Sequence, residues 1–402
     1  MANILIAGGG IGGLAAALSV ARQGHRATVL ERSDVFGEVG AGIQLGPNAF
    51  HALDSLGVGA AVRARAVLID ELQFMDGTTG ERIARMPLTG AYRERFGNPY
   101  AVVHRGDLYQ ALLDACRAHP AVTLLGGHYV VRYEQTDKNG EGADGGSGGV
   151  TAVTCTGRAF HGDVLVGADG IRSAVRRQLV GDGDPRVSGH TIYRSVIPMD
   201  QVPRELRWNS VTLWAGPKWH FVHYPIAGGK CLNLAATRDD AASEAVAGLP
   251  VPAEAVVAEF PELGHAARRL LELGKGWRAW VLCDRDPVTG WTDGRVTLLG
   301  DAAHPMLQYA AQGACMALED AVLLGELLRG AEPGEPALER RLEKYNAARS
   351  ERTARTQLVA REMGRQLYHP VGEAARARNR MLCSLTADEL YDKVAWLHAG
   401  VR

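Results

Sequence analysis

The sequence predicts an α/β fold: a Rossmann-like dinucleotide-binding domain interleaved with an antiparallel β-sheet domain and followed by a C-terminal helical segment. Three observations predict it. The chain opens with Asn3-Ile4-Leu5-Ile6-Ala7, then Gly8-Gly9-Gly10-Ile11-Gly12-Gly13, then Leu14-Ala15-Ala16-Ala17-Leu18. This is strand, glycine turn and helix former in the order that a dinucleotide fingerprint requires. A fully apolar strand at 164–168 and a second buried strand at 295–299 end in Asp169-Gly170 and Gly300-Asp301, acid-bearing turns at the carboxyl ends of strands, where α/β sheets bind ligands. The stretch 187–280 favours strands and holds most of the tryptophans, which suits a second, antiparallel sheet.

The elements follow in order. Gly8 permits the tight turn, Gly10 lets backbone approach a pyrophosphate, and Gly13 lets the helix pack against the strand. The helix N-terminus offers free N–H groups and a positive dipole end to phosphates. A second strand, Ala27-Thr28-Val29-Leu30, ends in Glu31, placed to accept from a ribose hydroxyl. An acid here disfavours a 2′-phosphate and leaves FAD or NAD as the held dinucleotide. A glycine-rich loop at 39–48 suits close approach to a flat ligand. A helix is expected over 48–56 and a hairpin over 71–86, turning at Asp76-Gly77. A helix after His104-Arg105-Gly106, strands over 122–125, 129–134 and 150–155, and a flexible tract at 139–149 come next. Within the strand-rich stretch one helix is expected at 253–273, and another at 311–328; charged helix fills the chain from 338 onward.

The 402 residues allow more than one structural unit. With 44 basic and 45 acidic residues there is no electrostatic footprint for nucleic acid. No apolar stretch reaches membrane-spanning length, and no secretory signal is apparent at the start. The six cysteines have no metal-ligand spacing and read as reduced, buried small hydrophobes. A cytoplasmic enzyme with no metal site is the resulting expectation.

Gly8 to Gly13, Asp169-Gly170 with Arg172 and Ser173, and Gly300-Asp301 with His304-Pro305 stand in the order seen in one family. Together they resemble the single-component FAD-dependent aromatic hydroxylases (class A flavoprotein monooxygenases), over most of the chain. The resemblance implies that NAD(P)H reduces FAD, that O₂ then forms a flavin hydroperoxide, and that its distal oxygen attacks an electron-rich ring. It implies a cofactor-binding set of Gly8, Gly10, Gly12, Gly13, Glu31, Arg32, Arg105, Asp169, Asp301, Gly313 and Ala314. Glu31 would hold the adenosine ribose, Arg105 the phosphates and Asp301 the ribityl chain, while Asp169 would link FAD and nicotinamide contacts. Gln312-Gly313-Ala314 opens a helix whose positive end favours a reduced flavin. The implied division is 1–70, 100–180 and 285–350 for FAD, 71–99 and 181–284 for substrate, and 351–402 for the helical segment.

The substrate must be read elsewhere. A phenolate is a better target for electrophilic oxygen than a phenol, so a base near the phenol oxygen is useful. In Trp219-His220-Phe221-Val222-His223-Tyr224-Pro225, strand alternation puts His220, Val222 and Tyr224 on one face. His220 and Tyr224 are therefore expected to face the ring as a pair. Gln308 departs from the small residues usual in the family after Gly-Asp-Ala-Ala-His-Pro, which sets an amide at the flavin–substrate junction. The three resemble the 3-hydroxybenzoate 6-hydroxylase branch, which implies His220 as base, Gln308 orienting the phenol, and gentisate as product. Arg194 is a candidate partner for the substrate carboxylate. A decarboxylating salicylate hydroxylase, a non-catalytic flavin-binding protein, and an epoxidase or reductase acting on an isoprenoid remain as alternatives. Choice between NADH and NADPH stays open, and a homodimer is expected only by the habit of the family.

Overall fold

The computed structural model describes residues 1–37, 40–136, 148–333 and 337–400. Val39 of the glycine-rich loop, most of the tract expected at 139–149, and the last two residues of the helical segment lie outside the described residues.

A six-stranded sheet runs Thr292–Asp293, Val296–Leu298, Val164–Gly167, Asn3–Ala7, Arg26–Leu30, Val122–Leu125. All its pairings are parallel except that of the edge strand Thr292–Asp293. The strand Asn3–Ala7 sits inside, with Ile4, Leu5 and Ile6 fully buried, as the run of apolar residues requires for a strand covered on both faces. The helices Ile11–Arg22, Arg105–Ala118 and Gly313–Leu328 pack one face through Leu14, Leu18, Leu112, Leu318 and Leu324. The sheet thus presents the carboxyl ends of Asn3–Ala7, Val164–Gly167 and Val296–Leu298 side by side. The three glycine-bearing turns meet there, although some 160 and 300 residues of chain separate them.

An eight-stranded sheet runs Ala247–Pro250, Arg278–Asp284, Arg186–Pro198, Cys231–Asp239, Trp219–Ile226, Ser210–Gly216, Glu71–Asp76, Arg82–Pro87. It is antiparallel with one exception: Ser210–Gly216 pairs parallel with Glu71–Asp76. These two strands come from distant chain segments, so no hairpin constrains their direction. Register assigns the two faces. Trp214, Phe221, Leu232, Leu234 and Ala236 share one face and pack with Phe260, Leu270 and Trp277 into an apolar core. The opposite face carries His190, Arg194, His220, Tyr224, Asn233, Thr237 and Asp239.

Some local expectations are corrected. The glycine-rich loop contains a short strand, Gly42–Leu45, paired with Ala101–His104. The single helix expected at 253–273 is two, Ala253–Ala258 and His265–Glu272, because Pro261 cannot continue the first. The hairpin over 71–86 closes through a longer loop in which the Asp76 carboxylate accepts from the N–H groups of Thr78 and Thr79. The C-terminal part is the long helix Ala337–Glu362, a π-helical turn Met363–Tyr368, and the helices Gly372–Cys383 and Ala387–His398. Among the described residues no helix is long and apolar enough to cross a membrane.

Candidate active site

The first turn shows why glycine is needed. Gly8 has φ +102°, and a Cβ there would stand 2.4 Å from the Ala168 carbonyl oxygen of the neighbouring strand. A Cβ on Gly13 would stand 1.9 Å from the Gly8 carbonyl oxygen, and one on Gly12 would meet Leu299 at 2.8 Å. Gly10 differs: it caps the helix Ile11–Arg22, and a Cβ on it would meet nothing within 4 Å. The first helical turn beside it has no side-chain cap, and its free N–H groups fit a pyrophosphate. Glu31 steadies the same loop, its carboxylate accepting from Gly9 N–H at 2.7 Å and Ser33 N–H at 2.9 Å. Arg32 next to it is exposed.

The second turn holds Asp169. One carboxylate oxygen, Oδ2, accepts from Ala174 N–H at 2.8 Å, and the other is buried without a partner. Burial pushes its pKa up from the ordinary carboxylate value against the hydrogen bonds that lower it. The third turn leaves Asp301 exposed, with a carboxylate oxygen 3.9 Å from where a Gly313 side chain would begin. Gly313 and Ala314 form the N-terminus of the helix Gly313–Leu328. Arg105 begins its own helix, its side chain against Gly40. An open glycine cradle, an orphaned acid oxygen and an exposed acid at a helix N-terminus fit a pyrophosphate with its sugar and polyol hydroxyls, the groups FAD carries.

Beneath the third turn lies a buried ionic network with no sequence signal. Asp320 accepts from Gly300 N–H at 3.0 Å, from His304 Nε2 at 2.5 Å and from Arg349 Nε at 2.6 Å. Arg349 also binds Glu319 at 2.7 Å, and Glu319 accepts from Arg352 and from Asn48. Asn48 donates on to Gln312, which caps the helix Gly313–Leu328. The charges around Asp320 hold its pKa down to about 2 despite complete burial. Gly300, His304 and Gln312 are thereby fixed from below.

On the second sheet, His220 and Thr237 are directly opposed on adjacent strands. Gln308 reaches the same point: its Nε2 donates to Thr237 Oγ1 at 3.3 Å, and its Oε1 accepts from Arg194 at 2.7 Å. His220, Gln308 and Arg194 are thus brought to one spot. Arg194 has its Nε buried without a partner and makes no ion pair among the described residues. Desolvation lowers its pKa from the ordinary arginine value. Tyr224 shares the face of His220 but is four residues along. Its hydroxyl donates to the Gly42 carbonyl oxygen at 2.8 Å, while Asn233 Oδ1 accepts from Gly42 N–H at 2.8 Å. Tyr224 therefore clamps the glycine-rich loop to the sheet with its only proton and keeps acceptor capacity alone.

His220 is completely buried, and its Nδ1 lies 2.8 Å from His369 Nε2. Burial lowers its pKa well below the ordinary histidine value, with smaller contributions from His369 and His190. Its Nε2 has no hydrogen-bond partner among the described residues. Tyr309 and Tyr368 pack their rings edge-on against it. His369 was missed in the sequence because it is a single histidine in a charged helical region, 149 positions from His220.

Comparison with known proteins gives the family. A family model described as an FAD binding domain matches residues 1–211 and 258–361. The chain is 50% identical over 397 residues to 3-hydroxybenzoate 6-hydroxylase 1 of Aquipseudomonas alcaligenes, covering 98% of this chain and 97% of that protein. It is 45% identical over 395 residues to a 3-hydroxybenzoate 6-hydroxylase of Polaromonas naphthalenivorans, covering 98% and 95%. Among solved structures, Klebsiella pneumoniae HpxO complexed with FAD and uric acid superposes with a TM-score of 0.85 at 24% identity, covering 99% and 97% of the two chains. A salicylate hydroxylase substrate complex gives 0.81 at 25% identity, covering 99% and 95%. Fingerprint, fold and full-length relatives converge, and the chain belongs to the FAD-dependent aromatic hydroxylases.

Proposed function

We propose that this enzyme hydroxylates 3-hydroxybenzoate para to its hydroxyl group and releases 2,5-dihydroxybenzoate (gentisate), using NAD(P)H and O₂. One observation carries the reading: His220 and Gln308, 88 positions apart, converge on Thr237 beside the half-buried Arg194, whose Nε is buried without a partner. A base, an amide and a cation without a carboxylate partner answer the phenol and the carboxylate of such a substrate. The two relatives above carry the name of this activity over nearly their full length.

FAD supplies, when bound, the activated oxygen delivered to the ring. The residues Gly8, Gly10, Gly12, Gly13, Glu31, Arg32, Arg105, Asp169, Asp301, Gly313 and Ala314 would hold it. Arg194 takes the carboxylate, which gives its buried Nε a partner and compensates a partly desolvated charge. Gln308, held by Arg194 and Thr237, orients the phenol. His220 accepts the phenol proton at Nε2; its own proton then sits on Nδ1 and is donated to His369 Nε2. Deprotonation raises electron density at the carbon para to the oxygen. Tyr224 contributes an acceptor and fixes the wall made by Gly42. The division into 1–70, 100–180 and 285–350 for cofactor and 71–99 and 181–284 for substrate is supported by the two sheets, whereas the expected boundary of the helical segment 351–402 falls inside the continuous helix Ala337–Glu362.

The test is product identity. The purified enzyme with NADH and 3-hydroxybenzoate should consume O₂ and form gentisate in step with NADH oxidised. Catechol from salicylate, with no gentisate from 3-hydroxybenzoate, would support the decarboxylating alternative. NADH oxidation that yields only peroxide with every hydroxybenzoate would sink the hydroxylation reading.

A further inference from the structure

We propose that His190, Asp239 and His369 form a binding site for a divalent transition metal ion, with Zn²⁺ the ion their chemistry suits, directly behind the candidate base. One ligand atom from each of the three residues lies within 4.8 Å of the others. Two imidazoles and a carboxylate are a zinc donor set, and bonds of about 2.0–2.2 Å place neighbouring ligand atoms roughly 3–4 Å apart. His190 Nε2 and an Asp239 carboxylate oxygen already stand at 3.9 Å. The sheet sets that pair, because His190 and Asp239 are directly opposed on adjacent antiparallel strands. His369 arrives from the turn that follows the π-helical residues Met363–Tyr368.

One nitrogen of each histidine is already engaged, in the manner of ligating histidines. His190 Nδ1 is hydrogen-bonded to the Tyr309 hydroxyl, and His369 Nε2 to His220 Nδ1. Such outer bonds fix the ring and its tautomer and leave the inner nitrogen for the ion. The remaining nitrogen of His369, Nδ1, is buried and has no partner, which leaves it for the ion. An unsatisfied buried polar atom is costly, and coordination would satisfy it. Asp239, whose side chain is 34% exposed, opens the cluster to solvent and gives the ion a way in. Asp240 adds a second negative charge near His190. Three protein ligands leave a further position for water.

The consequence for catalysis rests on the reading of His220 as the base. An ion on His369 Nδ1 keeps the proton of that ring on Nε2, where it is donated to His220 Nδ1. The proton of neutral His220 then occupies Nε2, the atom that would receive the phenol proton. Bound Zn²⁺ therefore switches His220 from acceptor to donor and slows hydroxylation.

Equilibrium dialysis of the FAD-loaded enzyme against Zn²⁺, with metal analysis, tests the site without recourse to activity. One Zn²⁺ per chain is expected, with affinity lowered at least about 10-fold in both His190→Ala and Asp239→Asn, the latter altering only a partly exposed carboxylate. No stoichiometric uptake, or uptake equally tight in both variants, overturns the site. Gentisate formation is then measured against Zn²⁺ occupancy. Slowing in the wild-type enzyme that is absent in Asp239→Asn supports the link to His220, whereas uptake without slowing overturns the link. A wild-type enzyme that forms no gentisate even without Zn²⁺ speaks against the proposed function and leaves the dialysis result standing.

Discussion

The Arg194 guanidinium donates to Gln308 Oε1 at 2.7 Å across 114 positions of sequence. The bond joins the second sheet to the segment that follows Gly300-Asp301, so one contact aligns the substrate side with the cofactor side. If Arg194 also holds the carboxylate, Arg194→Gln raises KM for 3-hydroxybenzoate by roughly 10- to 100-fold, the worth of a charge-assisted hydrogen bond. Steady-state kinetics with 3-hydroxybenzoate and its neutral amide check it. The amide should discriminate little between the two enzymes; an equal loss with both would place the role of Arg194 in structure alone.

His220→Ala should retain FAD and lose hydroxylation by about 10²–10⁴, the range for general-base catalysis. Flavin absorbance of the purified variant and chromatographic product yield measure the two separately. Normal gentisate yield from the variant removes His220 from the mechanism.

Gly13→Ala should yield protein without flavin, because its Cβ would lie 1.9 Å from the Gly8 carbonyl oxygen and must push the helix off the turn. Gly10→Ala meets no protein atom, so any loss of FAD affinity there reports on the ligand side of the cradle. The flavin-to-protein ratio after gel filtration distinguishes them. A flavin-saturated Gly13→Ala protein would contradict the role given to this turn.

How much of this was legible follows from what each residue does. Gly8, Gly13 and Asp169 were visible because a turn that must bend sharply leaves a local pattern of glycine and acid. The pairing of His220 with Gln308 was reachable only through a resemblance, since nothing local joins residues 88 apart. Asp320, Arg349 and His369 were invisible. Charged residues in the helices Gly313–Leu328 and Ala337–Glu362 read as solvent-facing, and only tertiary packing shows that Asp320 and Arg349 are buried together. The Tyr224 clamp on Gly42 escaped for the same reason, as its partner is a backbone carbonyl 182 positions away.

Arg349→Met removes the cation shared by Asp320 and Glu319 and leaves two buried carboxylates short of charge. Breaking a buried pair in this way costs about 3–5 kcal/mol. Urea unfolding should show a clearly lower midpoint, with weakened FAD retention, because Asp320 holds Gly300 and His304. A midpoint equal to wild type would mean that the network contributes nothing to stability.

Acid should destabilise the fold through buried neutral histidines. Burial lowers His223 and His398 to about 3, from an ordinary 6.5. The unfolded chain therefore binds more protons than the native one between these values. Stability from each group is complete above about 6.5 and falls by more than about 1 kcal/mol per pH unit below it. Unfolding free energies at pH 7.5 and 5.5 should differ accordingly, and His223→Phe should flatten the slope. An unchanged slope in that variant would show that His223 does not titrate on unfolding.

The layout of the parallel sheet sets an order of events during synthesis. Asn3–Ala7 leaves the ribosome first, yet its neighbour Val164–Gly167 follows about 160 residues later, and Val296–Leu298 later still. Most of the chain must be made before the cofactor cradle can close. Nascent chains stalled before residue 300 should therefore carry no flavin, however well their earlier helices have formed. FAD can act as a seal on finished molecules, stabilising only those in which all three turns have come together.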